Sequence, residues 1–147
     1  MKLVKNILRV KGDDVWTTTL DAPVFDAIKL MAEKGVGALP VVESGKLVGI
    51  ISERDYTRKV ILDGRSSKST AVKEIMSAPV IFTTPDEPIE RCMVIMTEKR
   101  VRHLPVLEDG QMIGIISIGD LVKAIIAEQK RWIRELEHHV LHTTSIL

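Results

Sequence analysis

The chain of 147 residues contains only one cysteine, Cys92. A single cysteine excludes an intrachain disulfide and a zinc site built from several cysteines. Cys92 falls within an amphipathic stretch, and we expect it to be a buried thiol with a packing role.

Aromatic residues are scarce, at 3% of the chain, and neither sign of charge dominates, since the formal net charge at pH 7 is +1. The core must therefore be built from aliphatic side chains and methionine. A near-neutral chain also lacks the basic footprint of proteins that hold nucleic acid by its phosphates. We expect no nucleic-acid partner.

Long apolar runs are absent, and none approaches the roughly 20 residues needed to cross a bilayer. The first residues, MKLVKNILRVKGDD, become charged too soon for a secretory signal. The sequence therefore predicts a cytoplasmic protein that does not enter a membrane.

An internal repeat is the most informative feature that is present. Residues 49–55 read GIISERD, and residues 114–120 read GIISIGD, 65 positions later (114 − 49). After a shift of 65, residues 23–60 align with residues 88–125 without a gap, and 15 of the 38 positions are identical. Self-similarity at a fixed spacing predicts two copies of one structural unit.

Each copy predicts the element order β-α-β-β-α. A β-rich piece ending in threonines comes first, VWTTT at 15–19 and VIFTT at 80–84. A helix beginning at a proline follows, and it stops near Gly35 in the first copy and near Arg100 in the second. Two β runs around a glycine turn then predict a hairpin. The second helix begins near residue 53 or 118.

These elements divide the chain into repeat 1 (3–62), a polar linker (63–71), repeat 2 (72–127) and a C-terminal extension (128–147). Short helices at 4–8 and 72–76 are expected to lead into the two repeats. Both begin with Val-Lys.

The last helix is expected to run from Leu121 to about His139. It places Trp132, Leu136 and Val140 on one side, four residues apart, among charged neighbours. Such a narrow apolar seam typically packs on another helix, from the same chain or from a partner. We expect the protein to be a homodimer. The tail HTTSIL (142–147) carries no prediction.

The two Ser-x-x-Asp segments allow two interpretations. Ser52 with Asp55, like Ser117 with Asp120, fits a helix capping box. The same residues could also bind a nucleotide, because a carboxylate has two oxygens to accept both hydroxyls of a ribose. In that case the helix start would offer unpaired N–H groups to phosphate, and Gly49 would allow a close approach at the strand.

The segments GALPVVESGKLVGIISERD and RHLPVLEDGQMIGIISIGD resemble the cystathionine β-synthase (CBS) domain. Two in tandem resemble a CBS pair, also called a Bateman module, over roughly residues 3–127. The resemblance implies an α/β (more narrowly α+β) fold in which two repeats pack about a pseudo-two-fold axis with two clefts between them. In the family such clefts commonly bind AMP, ADP, ATP or other adenosyl compounds. The chain looks like a free-standing CBS-pair protein.

The resemblance further implies that each cleft draws on both repeats. Asp120 and Ser117 would bind a ribose opposite an adenine slot formed by Val36, Gly37 and Ala38. Asp55 and Ser52 would face Val101, Arg102 and His103.

The two sites are expected to be unequal. Arg54 precedes Asp55, whereas Gly119 precedes Asp120, and a guanidinium grips phosphate as a planar fork. Together with Arg102 and His103, Arg54 predicts stronger phosphate binding on the Asp55 side.

Other basic residues are weaker candidates for a functional role. Lys5 and Lys73, in the lead-in helices, could approach a phosphate. His138, His139 and His142 suggest a metal site, but adjacent histidines on a helix point in different directions and have no acidic partner placed with them. We expect no metal.

The sequence is compatible with three functions. The favoured one is a regulatory module that binds adenine nucleotide (AMP, ADP or ATP) and acts through an unknown effector protein. The alternatives are binding of NAD(H) or S-adenosylmethionine, and a scaffold with empty clefts. No nucleophile lies beside a base, so we expect no enzyme.

Overall fold

The computed structural model describes the backbone of residues 2–146 and the side chains of residues 2–141. Its helices are α1 (Val4–Lys11), α2 (Val24–Lys34), α3 (Glu53–Tyr56), α4 (Val72–Ile75), α5 (Ile89–Lys99) and α6 (Ile118–Ile146). Its strands are β1 (Ala38–Glu43), β2 (Lys46–Ser52), β3 (His103–Glu108) and β4 (Gln111–Ser117). The predicted mixed fold with two tandem repeats is confirmed.

Two antiparallel hairpins form the centre of the fold. Strand β1 pairs with β2 from Ala38↔Ser52 onward, and β3 pairs with β4 from His103↔Ser117 onward. Each hairpin carries a register shift at the same place in the repeat, at Val41/Val42 and at Val106/Leu107. In both turns the two central residues, Ser44-Gly45 and Asp109-Gly110, have positive φ, as two-residue hairpin loops require.

The predicted first strand of each repeat is wrong as a full strand. Only Thr18 and Thr83 join the sheets, each through one parallel bridge, to Val41 and Val106. Their N–H groups donate to the carbonyls of Pro40 (3.0 Å) and Pro105 (2.9 Å). The β-branched residues around them predict strand geometry, but propensity does not fix how many residues pair.

The first helix of each repeat has the predicted limits. Helices α2 and α5 have Pro23 and Pro88 at their N-cap positions, and they end at residues in the left-handed conformation. Gly35 adopts φ 65° without steric cost, whereas Arg100 adopts φ 55° as a non-glycine residue.

The second helices differ between the repeats. Helix α3 has one turn and continues as a π-helical turn, Thr57–Ile61. Its counterpart α6 continues without interruption for 29 residues, beyond the predicted end near His139.

Each lead-in helix packs in the hydrophobic core of the other repeat, and we call this the exchange of the lead-in helices. Val4 and Ile7 of α1 pack in the core of repeat 2, with Cys92 and Leu104 among others. The core of repeat 1 instead receives α4, through Val72 and Ile75. Backbone bonds fix this crossing, since the Val4 N–H donates to the Glu87 carbonyl at 2.9 Å. The repeat boundaries along the chain stay a prediction, but the packing crosses them.

The predicted buried thiol is confirmed, because Cys92 has no exposed surface. Burial raises the pKa of Cys92, while a contact from Thr83 Oγ1 (3.4 Å) acts in the opposite direction. In the part of the chain that the structure describes, no helix is long and apolar enough to span a membrane.

Candidate functional site

The paired Ser and Asp residues form reciprocal helix caps. Ser52 Oγ accepts a hydrogen bond from the Asp55 N–H (3.1 Å), and Asp55 Oδ2 accepts one from the Ser52 N–H (2.9 Å). Ser117 and Asp120 repeat the arrangement at 3.1 and 2.8 Å. The capping interpretation is therefore confirmed, and any ligand role must be compatible with it.

Part of each helix start is already engaged in hydrogen bonds within the protein. The Glu53 N–H donates to the Gly37 carbonyl (3.0 Å), and the Ile118 N–H donates to the Arg102 carbonyl (2.9 Å). The Asp55 and Asp120 N–H groups are used by the caps. Binding of phosphate by the remaining N–H groups of these helix starts stays a prediction.

Two clefts lie between the repeats. The first, which we call the Asp55 cleft, has a volume of about 410 Å³. The second, the Asp120 cleft, has a volume of about 380 Å³. Gly37 and His103 line both, so the clefts are neighbours that share a wall.

The structure brings together the residues that the sequence grouped. The Asp55 cleft is lined by the predicted residues of one group, Ser52, Arg54, Asp55, Val101, Arg102 and His103. The Asp120 cleft is lined by the other, Val36, Gly37, Ala38, Ser117 and Asp120. Their roles toward a ligand stay predictions.

The Asp55 cleft is strongly basic. Six of its lining residues carry cationic side chains and two carry carboxylates, Glu53 and Asp55. The cations are Arg54, Arg58, Lys59, Lys99, Arg100 and Arg102. A concave surface of one sign concentrates ligands of the opposite charge.

Four of these cations were missed by the sequence analysis. Arg58 and Lys59 lie on the π-helical turn, and the wider turn could not be read from helical periodicity. Lys99 and Arg100 end α5, directly before the predicted Val101. A cluster of basic residues at that helix end was the available signal.

The Asp120 cleft has the opposite balance. Its lining includes one cation, Lys11, and two carboxylates, Asp14 and Asp120, with the Trp16 ring beside them. Lys11, Asp14 and Trp16 were missed because they lie near the start of repeat 1, whereas the exchange of α1 brings them against repeat 2.

Lys11 contacts one oxygen of Asp120, the carboxylate that is predicted to bind a ribose. Its Nζ lies 2.7 Å from Asp120 Oδ2 and 2.8 Å from the Ile115 carbonyl oxygen. Burial raises the pKa of Asp120, but Lys11 and the Ser117 N–H lower it more, so the net direction is downward. Asp120 is therefore ionised at neutral pH and able to accept hydrogen bonds.

Asp55 has a similar environment but a more local partner. Its Oδ1 lies 3.2 Å from Lys59 Nζ, one helical turn away, and its side chain is 14% exposed. Arg54 reaches across the cleft, where its Nη1 donates to the Arg100 carbonyl at 3.2 Å. The two repeats thus already meet in the basic cleft.

Gly37 and Gly49 lie where a side chain would come too close to neighbouring atoms. A Cβ on Gly37 would lie 3.1 Å from Glu53 Oε1 and 3.3 Å from His103 Nε2. A Cβ on Gly49 would meet Met76 Sδ at 2.5 Å, so what approaches this strand is the residue after α4. The close approach expected at Gly49 is therefore made by the protein itself, through Met76 and through the Ser77 carbonyl oxygen, which would lie 3.2 Å from that Cβ.

His103 lies between the two clefts. Burial lowers the pKa of His103, Lys11 and Arg102 lower it further, and Asp120 acts in the opposite direction. The imidazole is therefore neutral at pH 7.

We expect His103→Gln to reduce the pH dependence of stability between about pH 7.5 and 5.5. The unfolded histidine has a pKa near 6.5, whereas the pKa of folded His103 is lower. The unfolded state thus binds the proton first, and the free energy of unfolding falls as the pH falls. Urea denaturation across this range measures the slope. His138→Gln is the control, and an unchanged slope for His103→Gln would contradict the assignment.

Lys5 and Lys73 are not among the residues that line the two clefts, so the structure gives no support to their approach to a phosphate there. Lys5 Nζ lies 3.1 Å from Asp86, and Lys73 Nζ lies 2.9 Å from Asp21. The described residues contain no group of three or more potential metal ligands, and the side chain of His142 lies outside them.

Comparison with known proteins places this fold in a family. The family model described as the CBS domain matches residues 4–61 and 72–127. The chain is 43% identical to the mitochondrial CBS domain-containing protein CBSX3 of Arabidopsis thaliana, over 93% of this chain and 71% of the relative.

Two solved structures extend the comparison. A CBS-domain protein from Burkholderia ambifaria, whose name proposes a role in signal transduction, is 53% identical with a TM-score of 0.84, over 87% of this chain and 96% of that one. The CBS domain pair of protein MJ0100, solved with 5-methylthioadenosine and S-adenosylmethionine, is 27% identical with a TM-score of 0.75, over 87% and 98%.

The family model covers most of the chain, and its two matches fall on the two repeats identified from the internal similarity. Each repeat contributes one Ser-x-x-Asp cap and one cleft wall. The chain therefore belongs to the CBS-domain family and carries a pair of CBS domains.

Proposed function

We propose that this CBS pair is a regulatory module that binds an adenine nucleotide (AMP, ADP or ATP) between its repeats. The observation that carries the proposal is the excess of cations around Asp55, six against two carboxylates. A nucleotide needs a diol acceptor and a phosphate clamp, and this cleft offers both. The protein acts as a binding module, since the residues of this cleft are suited to binding phosphate and hydroxyl groups.

The two clefts are proposed to prefer different ligands. The Asp55 cleft suits a ligand with several phosphates, because arginines bind phosphate oxygens with paired donors. In the Asp120 cleft the one lysine already contacts Asp120 at 2.7 Å, and two carboxylates repel phosphate. That cleft suits an adenosyl group with little negative charge, such as S-adenosylmethionine. The adenosyl ligands of the MJ0100 pair support this second assignment.

Regulation requires that the ligand prefers one arrangement of the repeats over another. Arg54 of repeat 1 contacts the Arg100 carbonyl of repeat 2, so a phosphate that engages both arginines would change this contact. The change would be passed to an effector protein. We further propose that the protein forms a homodimer and acts in the cytoplasm, although the name of the Arabidopsis relative places that protein in mitochondria.

The test is a thermal-shift and calorimetry panel of AMP, ADP, ATP, NADH, S-adenosylmethionine and 5-methylthioadenosine. We expect ATP or ADP to stabilise the protein by about 2.7 kcal/mol at a concentration 100 times its Kd. An Arg54→Gln, Arg102→Gln double variant should lose the preference for ATP over AMP. Preferential binding of NADH would favour the dinucleotide alternative.

The matched control is Lys5→Gln, Lys73→Gln, which removes two cations that lie outside the clefts. It should leave the preference for ATP unchanged. A panel without any stabilising compound would contradict the proposal and favour a scaffold with empty clefts.

A further inference from the structure

The end of α6 is a helix without a core beneath it. Every residue from Gln129 to Leu141 is exposed, a length of about 20 Å at 1.5 Å per residue. We call this segment the α6 tail. Most of the stability of helices in proteins comes from packing of an amphipathic face, so a partner surface that covers the tail would stabilise it.

One side of the α6 tail carries a mainly apolar stripe, which begins at Ile126 before the tail and is interrupted by Gln129. Ile126, Gln129, Ile133, Leu136 and Val140 follow one another at alternating spacings of three and four residues. Ile133 is 54% exposed, Leu136 is 62% exposed, and Trp132, at the flank of this stripe, is 59% exposed. The spacing is that of the a and d positions of a two-stranded coiled coil.

The flanking charges select the orientation of the partner. If Ile133 is an a position and Leu136 a d position, Lys130 and Glu137 are both e positions. In a parallel pair, e positions face g positions, here Ile125, Trp132 and His139, which supply no carboxylate for Lys130. In an antiparallel pair, e positions face each other, and Lys130 of each copy meets Glu137 of the other.

We propose that the α6 tail pairs antiparallel with the α6 tail of a second copy of this chain. Ile133 of one copy packs on Leu136 of the other at the centre, and Gln129 packs beside Val140 at both ends, where its amide reaches water. Two Lys130–Glu137 pairs flank these layers. This arrangement places the two CBS pairs at opposite ends of the tail duplex, so their bulk does not interfere.

This interface specifies the homodimer of the proposed function but does not depend on nucleotide binding. The first test is sedimentation equilibrium of the full chain and of an Ile133→Gln, Leu136→Gln variant. We expect a dimer, twice the 16.4 kDa of the chain, and a rise of at least about tenfold in the dimer Kd for the variant, because apolar burial is lost. Arg131→Gln, Arg134→Gln on the opposite side is the control.

The charge pairs give a second test. Lys130→Glu should raise the dimer Kd about threefold to tenfold, since it places like charges opposite each other. Adding Glu137→Lys should restore the Kd of the parent. Failure of this charge exchange to rescue association would contradict the antiparallel arrangement.

Disulfide trapping gives the third test. A mixture of Gln129→Cys and Val140→Cys chains should form a mixed disulfide dimer, whereas Gln129→Cys alone should not. The two positions are 11 residues apart (140 − 129), about 16 Å along a helix. Efficient trapping by Gln129→Cys alone would indicate a parallel pair, and a monomeric parent or an unchanged Ile133→Gln, Leu136→Gln variant would overturn the proposal. Ligand-induced thermal shifts of that variant should match the parent, which separates this test from that of the nucleotide site.

Discussion

Replacing Asp55 with alanine is expected to weaken ATP binding by about 10- to 150-fold. The proposed ligand bonds are made to an ionised carboxylate, and one hydrogen bond to a charged group is worth about 1.5–3 kcal/mol. The substitution also frees Lys59, which lies 3.2 Å from Asp55 Oδ1, and this extra cation cannot replace the acceptor for the ribose. Isothermal titration calorimetry with ATP measures the change.

The pseudo-symmetric residue supplies the control for this result. Asp120→Ala removes the same type of helix cap, since both carboxylates accept from the serine N–H three residues earlier. Loss of a cap costs about 0.5–2 kcal/mol of stability in either variant. Asp120→Ala should nevertheless keep the affinity for ATP and lose that for S-adenosylmethionine. An equal loss of ATP binding in both variants would mean that the effect is structural.

Replacing Ile7 with alanine is expected to destabilise repeat 2, although Ile7 belongs to repeat 1 in the chain. Ile7 is 7% exposed and packs in the same core as Cys92. An isoleucine-to-alanine change in a core costs about 2–5 kcal/mol. The buried Cys92 thiol reports the loss, because opening of this core exposes it to a thiol reagent. We expect a faster labelling rate and a lower denaturation midpoint.

Ile75→Ala is the matched variant in the exchanged helix α4. Ile75 is 1% exposed and packs in the core of repeat 1, so a similar loss of stability is expected without the same increase in Cys92 labelling. If Ile75→Ala accelerates the labelling as much as Ile7→Ala does, the two cores do not open separately and the local prediction fails.

The sequence predicted the elements better than their packing. Pro23, Pro88 and the glycine turns are local signals, and the structure follows them. The exchange of α1 and α4 depends on which of two nearly identical cores each helix enters. Because the cores share a repeated sequence, hydrophobic pattern alone does not distinguish them.

For the candidate site, the grouping of residues was likewise predicted, but part of the lining was missed. The internal repeat and the family resemblance grouped Asp55 with Arg102, and Asp120 with Gly37, and the clefts contain these groups. Lys11, Asp14 and Trp16 were missed because they reach the Asp120 cleft only through the exchanged helix. Arg58 was missed because a π-helical turn changes the direction in which successive side chains point.

The exchanged lead-in helices also bear on how such a fold could have arisen. A half-length chain, residues 1–62, would contain α1 but would lack the helix that completes its own core. Val4 and Ile7 of α1 pack in the core of repeat 2. Two such chains could each complete their interior by trading first helices, which is the geometry of a domain-swapped dimer. Gene fusion would then turn an exchange between molecules into one within a single polypeptide, and neither half could be separated afterwards without leaving both interiors open.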